Sequence, residues 1–274
     1  MHLLLTNDDG IEAQGLQALA EYVRSQPTVS RVTIVAPVDG RSCCGHTVNT
    51  YAPIEIQNVA PEQYAINGWP ADCVRIAIVH LGLKPDWILS GVNHGGNLGL
   101  DITMSGTCGA AREGAWLGYR AIALSQYRSP RVQVSWPTSA ARAWSVASQV
   151  IAEHLGVSPF APRKWRSFAE RTATMEQLST ERSLAGEGDR KANDQTNTFM
   201  PTGFWNVNLP SLEDSATLPP PVECHPDPSP HQFTWEETSD GLLYRSSYQD
   251  RPRLPGHDIE YCFQGSPTVS FCKV

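Results

Sequence analysis

At 274 residues the chain is long enough to bury a full core, and its 21 basic against 28 acidic residues leave a net charge of −7 with no run of Lys or Arg, which excludes a surface built to track nucleic acid. The N-terminus has no basic segment leading into a long apolar one, and no apolar run approaches the roughly 18 residues of a membrane span, so a cytoplasmic protein without a membrane partner is expected. Seven cysteines, at 43, 44, 73, 108, 224, 262 and 272, are odd in number and form no C-x-x-C pair, which argues for reduced thiols rather than a zinc site or a disulfide framework.

In chain order, residues 2–6 predict a strand, residues 15–24 carry Leu16, Leu19, Ala20 and Val23 at helical spacing, and residues 32–36 are a β-branched run ended by Pro37. A loop over 37–47 follows, then a short strand at 64–66, a helix over 71–81 and a buried strand at 87–90. Residues 91–99 hold four glycines, so the backbone there can approach a ligand closely. Ser105-Gly106-Thr107 opens a helix over 108–117, and 121–125 is a further strand. Strand and helix alternate to about residue 127, the pattern of a largely parallel sheet with helices on its faces. Beyond it come an amphipathic helix over 140–155, a polar helix-prone stretch over 160–198, a strand at 204–209 and a proline-rich excursion over 210–240. The fold class expected is α/β, a three-layer α/β/α Rossmann-like sheet: residues 1–130 form the catalytic core, and 131–274 continue the same domain with the polar segment, the excursion and C-terminal strands.

If these strands are parallel, the loops at 7–10, 37–47 and 91–107 share one edge of the sheet, where open α/β sheets bind ligands. Asp8 and Asp9 are hard anionic oxygen ligands, Ser42 and Asn93 are neutral ones, and Ser105-Gly106-Thr107 offers N–H groups and hydroxyls at a helix N-terminus. This chemistry suits Mg2+ or Mn2+ with a phosphate. Each residue also has a bland reading: Asn7-Asp8-Asp9-Gly10 as a turn, Ser105 and Thr107 as helix caps, Asn93 and Asn97 as turn residues, Ser42 as a solvated hydroxyl, Arg41 as a partner in a structural ion pair. His94 is a candidate proton donor, and the Cys43-Cys44 pair is read as packing.

Five ordered segments over residues 1–127 carry a resemblance. Leu4-Leu5-Thr6-Asn7-Asp8-Asp9-Gly10-Ile11, Ala36-Pro37 with Arg41-Ser42, Pro70-Ala71-Asp72-Cys73-Val74, the run from Ser90 to Gly99, and Ser105-Gly106-Thr107 resemble the stationary-phase survival protein SurE family. The resemblance implies a metal-dependent phosphatase acting on nucleoside 5′- and 3′-monophosphates, with some members trimming short polyphosphate. It implies one divalent cation, Mg2+ or Mn2+, held by Asp8, Asp9, Ser42 and Asn93, and a phosphate near Asn97, Ser105, Gly106 and Thr107, with Arg41 adding charge. A homodimer or tetramer is expected. The second loop departs from the family's usual Asp-Arg-Asn-Arg-Ser-Gly-Ala-Ser, reading Val38-Asp39-Gly40-Arg41-Ser42-Cys43-Cys44-Gly45 here, and echoes of later motifs stand at Asn206-Val207-Asn208-Leu209-Pro210 and Gly256-His257-Asp258.

The catalytic set expected is thus Asp8, Asp9, Asn97, Ser105 and Thr107, with water attacking phosphorus. Two rivals are weighed. A haloacid-dehalogenase-like phosphatase would phosphorylate an Asp, but its Asp-x-Asp spacing is absent. A catalytically weak metal- and nucleotide-binding regulator would keep the ligands without turnover.

Overall fold

In the computed structural model, which describes residues 1–154, 203–246 and 248–274, the apolar run at the start of the chain becomes an inner strand of a nine-stranded sheet. The elements in order are β1 (His2–Thr6), α1 (Gln14–Arg24), β2 (Arg31–Pro37), β3 (Ile56–Ala60), β4 (Gln63–Ile66), α2 (Pro70–Arg75), β5 (Trp87–His94), α3 (Asp101–Met104), α4 (Gly106–Trp116), β6 (Ala121–Gln126) and α5 (Trp136–His154). After them come β7 (Gly203–Leu209), β8 (Val222–Glu223), β9 (Trp235–Thr238), β10 (Gly241–Tyr244), α6 (Asp258–Phe263) and β11 (Thr268–Lys273). The main sheet runs β3-β4-β2-β1-β5-β6-β7-β11-β8, and β9 and β10 form a separate antiparallel hairpin. Its pairs are parallel except β3 with β4 and β11 with β7.

Side chains that alternate across each strand divide the core into two layers. Leu3, Leu5, Ile34, Leu89, Leu124 and Val207 face α1 and α5, where Leu16, Leu19, Val23, Ala143, Ala147 and Ile151 cover them. Leu4, Val35, Ile88, Ala123 and Phe204 face the opposite way, toward Val74 and Ala77 and toward Ala110 and Ala111 of α4. With both faces covered, the strands read as continuous apolar runs, and those runs located them in the sequence. The three-layer α/β/α architecture is the one the sequence predicts.

The chain leaves β1 through α1 to β2 on one side and later returns to pair β5 on the other. The carboxyl ends of β1 and β5 therefore flank a topological switch point, and the loops after β1, β2 and β5 meet there.

Several elements differ from the sequence prediction. The helix over 71–81 is α helical only to Arg75 and continues as a π turn over Ile76–His80, where the Leu81 N–H donates to the Ile76 carbonyl at 2.8 Å. β3, α3, α6 and the β9–β10 hairpin carry too few periodic residues to announce themselves. The helix expected at 140–155 begins at Trp136; residue 155 and the polar stretch 160–198 lie outside the described residues. All seven cysteines are free, and among the described residues no helix is long and apolar enough to cross a membrane.

The strand expected to stop at Ser90 runs on to His94. Its register against β6 slips by one residue between Ser90 and Asn93, which re-aims Asn93 at the sheet edge. Gly91 permits this with φ +136, and a Cβ added there would lie 2.2 Å from the Leu124 carbonyl oxygen. Gly91→Ala is expected to destabilise the protein by roughly 3 kcal/mol, read as a lower urea midpoint, because it combines backbone strain with a clash against backbone; an unchanged midpoint would show that the glycine is dispensable.

Candidate active site

β1 delivers Thr6 and Asn7, fully buried, and Asp8, 4% exposed, to the switch point. The Asn7 side-chain amide donates to the Gly10 carbonyl at 2.8 Å and bends the chain, while the Ile11 N–H donates to Pro37 at the end of β2 at 2.7 Å and the Arg41 N–H to the Asp8 carbonyl at 2.6 Å. Asn7-Asp8-Asp9-Gly10 is a turn, and it is a turn that buries a carboxylate.

That carboxylate meets the first turn of α4. The Thr107 hydroxyl donates to Asp8 Oδ1 in a short hydrogen bond, and the backbone N–H groups of Thr107 and of Asp8 itself also face the carboxylate. At Gly106 an added Cβ would fall 2.8 Å from Asp8 Cβ and 2.6 Å from Cys44 Sγ, so this approach is open to glycine alone. Burial pushes the Asp8 carboxyl up to about 6; the Thr107 hydroxyl opposes the rise and the Asp9 charge adds to it. Asp9 is partly exposed, and its Oδ2 accepts the His94 backbone N–H at 3.0 Å.

The remaining candidates take varied places. Asn93, next to last in β5, donates its side-chain amide to the Gly95 carbonyl at 3.0 Å, a bond that does not engage its Oδ1. Ser42 is exposed on a loop that reaches Asp8 through the Arg41 N–H, and Cys44 of the same loop lies against Gly106. Ser105 is the N-cap of α4, its hydroxyl accepting the Cys108 N–H at 3.0 Å. The Arg41 guanidinium lies over the Trp69 ring at 5.2 Å and reaches Asn67 Oδ1 at 3.4 Å, so its direct partners are in the 67–69 turn. Asn97 is buried, and its side-chain amide donates to Ser125 Oγ at 2.8 Å. His94 presents an exposed ring edge-on to Trp136 at 5.8 Å.

Asp8, Asp9, Gly106, Thr107 and the ends of β1 and β5 thus come together directly, and the loop of Ser42 closes on them through backbone. Among the described residues no three His, Cys, Asp or Glu side chains gather into a metal site. A cation here would rest on two carboxylates completed by neutral oxygens, a set that suits a hard ion. The neighbouring soft donor is withheld, since burial and the Asp8 charge push the Cys44 thiol up to about 11. The donor chemistry fits Mg2+ or Mn2+.

Comparison with known proteins decides the family. The model of the Survival protein SurE family matches residues 3–220. The chain belongs to the SurE family. It is 35% identical over 276 residues to a candidate 5′-nucleotidase of Synechocystis sp., covering 100% of each chain, and 42% identical over 161 residues to the 5′-nucleotidase SurE of Pelobacter propionicus, covering 58% of this chain and 64% of that one. The crystal structure of SurE from Aquifex aeolicus superposes with a TM-score of 0.71 at 24% identity over 100% of this chain and 93% of that one, which shows the same fold.

Within this SurE fold the glycine-rich loop is held by residues to which the sequence assigned no role. The Asn97 carbonyl accepts the side-chain amides of Asn206 at 2.9 Å and Asn208 at 3.0 Å, and its N–H donates to Asn208 Oδ1 at 2.7 Å. Two residues farther on, the Gly99 N–H donates to Asp258 Oδ2 at 2.8 Å, while Asp258 Oδ1 accepts the Asp227 N–H at 2.8 Å. A signal existed: Asn206 and Asn208 alternate along an otherwise apolar strand, so both point to one face and need buried partners.

The burial of Asp8 sets a stability prediction. Its folded value of about 6 exceeds the reference 3.8, so stability falls as pH rises from about 4 through about 6, where the unfolded chain ionises first. Asp8→Asn is therefore expected to stabilise the chelator-treated protein at pH 7 by roughly 2 kcal/mol, a gain that vanishes below about pH 4, both read from urea unfolding. A variant less stable than wild type at pH 7 would refute the burial cost.

Proposed function

We propose that this SurE-family chain is a divalent-metal-dependent phosphatase that hydrolyses nucleoside 5′-monophosphates, with nucleoside 3′-monophosphates and short polyphosphate as further substrates. The observation that carries the reading is the buried Asp8, met by Thr107 at the N-terminus of α4, with a second carboxylate one residue on. The Pelobacter propionicus relative, named a 5′-nucleotidase, supplies the substrate class. The seven free thiols suit a reducing cytoplasm.

In this reading Asp8, Asp9, Ser42 and Asn93 hold one Mg2+ or Mn2+ per chain, which supplies Lewis-acid polarisation of the phosphoryl oxygens and lowers the pKa of a water. Asn97, Ser105, Gly106 and Thr107 line the phosphate, and the positive end of α4 favours its charge. Asn206 and Asn208 fix the loop that bears Asn97. Shared by one cation, the two carboxylates would have their charge neutralised and be poor nucleophiles, so water attacks phosphorus directly.

Phosphate release from a panel of nucleoside 5′- and 3′-monophosphates and short polyphosphate is expected with Mn2+ or Mg2+ and to disappear after exhaustive chelation; undiminished turnover in chelator would sink the metal reading. Asp9→Asn, which removes charge at nearly constant volume, is expected to fold normally and to lose about a hundredfold or more in kcat. Acid-quenched single turnover with 32P-labelled substrate is expected to leave no label on the peptide containing Asp8 and Asp9. Label there would establish a phospho-aspartate route.

A further inference from the structure

The loop between β2 and β3 carries Ser42; there Ser42 and Cys43 are exposed, Cys43 sits at φ +57, the Thr47 N–H and hydroxyl donate back to the Cys44 carbonyl at 3.2 and 2.6 Å, and the Arg41 N–H donates to the Asp8 carbonyl. A further anchor lies on α4. Glu113, in the last turn of that helix and 2% exposed, accepts the His46 ring Nε2 at 2.7 Å, and α2 contributes Arg75 to the same carboxylate through Nε at 2.7 Å and Nη2 at 3.2 Å. Burial opposes ionisation of Glu113, but the hydrogen bonds from His46 and Arg75 outweigh it and hold the carboxyl below its ordinary range. An ionised carboxylate only accepts, so His46 donates from Nε2.

Three further contacts dock the loop against α4 and the end of α3. The His46 ring packs on Trp116 with centroids 4.3 Å apart, and the Gly45 N–H donates to the Met104 carbonyl at 2.9 Å. The Gly45 carbonyl oxygen lies where a Cβ on Gly109 would be 2.2 Å away, so backbone rests on backbone. Arg75 already neutralises Glu113, which leaves His46 the task of directing the loop rather than balancing charge.

We infer that His46, oriented by Glu113, is the positioning residue that fixes the Ser42 loop for cation binding. The inference rests on the proposed role of Ser42. It depends on one ring nitrogen, and that can be isolated: a Gln side chain places its amide nitrogen as far along the chain as His Nε2, whereas Asn stops short at the position of Nδ1. Wild type, His46→Ala, His46→Asn and His46→Gln are compared by calorimetric titration with Mn2+ alone and by hydrogen exchange of the peptide spanning 41–47. The Ala and Asn variants are expected to bind Mn2+ about tenfold more weakly, the loss typical of a residue that supports a metal ligand from behind, with faster exchange over 41–47, and the Gln variant to stay within about twofold of wild type on both measures. Equal affinities in all four proteins, or a Gln variant as impaired as Ala, would overturn the positioning role. If wild type itself binds no Mn2+, the metal reading fails, and the exchange data alone then decide: unchanged exchange in all variants overturns the inference, and faster exchange confined to Ala and Asn upholds it.

Discussion

A carboxylate as buried as Asp8 stays in a protein interior only where donors meet it, and here, besides its own N–H, the donors come from one end of one helix. This fixes the position of α4 relative to β1 more tightly than apolar packing alone would. Gly106 lets the helix come that close, Gly109 lets the β2–β3 loop lie on its flank, and Ser105 caps it without competing for Asp8. The second carboxylate is tied to β5 by the His94 N–H, so the two strands flanking the switch point are joined through adjacent residues of a single turn. The rest of the site is arranged around that joint.

The arrangement sets function against stability. A site that collects Asp8 and Asp9 at the carboxyl edge of the sheet, with Arg41 drawn toward Trp69 and His46 donating to Glu113, keeps these two nearby side chains occupied elsewhere. Negative potential is concentrated there inside a chain that is already acidic overall. Charge that the fold does not neutralise internally remains available to attract a cation.

Much of this was legible in the sequence where chemistry and periodicity coincide. The strands at 2–6 and 121–126 are buried on both faces and carry short apolar runs, Leu3-Leu4-Leu5 and Ala121-Ile122-Ala123-Leu124, and the glycine-rich segment announces close backbone approach. What stayed hidden depends on tertiary partners. Thr107 reads as a helix cap because nothing in its neighbours in sequence shows that Asp8, 99 positions earlier, takes its hydroxyl. Gly91 reads as a strand break because a bulge within a strand and the end of a strand look alike from sequence. Arg41 reads as a phosphate contact or an ion-pair partner, and nothing in its sequence neighbours shows that its guanidinium lies over Trp69. The edge strand β3 is exposed along most of its length and shows no buried alternation, and β8 holds too few residues for any period to register.

The asparagine clamp on the glycine-rich loop has a consequence for synthesis. Asn206 and Asn208 bind the Asn97 carbonyl across 109 and 111 positions, and Asp258 binds Gly99 across 159. When the ribosome has released the first five strands and their helices, the acidic turn and α4 already exist, but the loop that bears Asn97 has none of these distant supports. The nascent chain therefore assembles the carboxylate half of its site early and the loop half only after β7 and α6 have emerged.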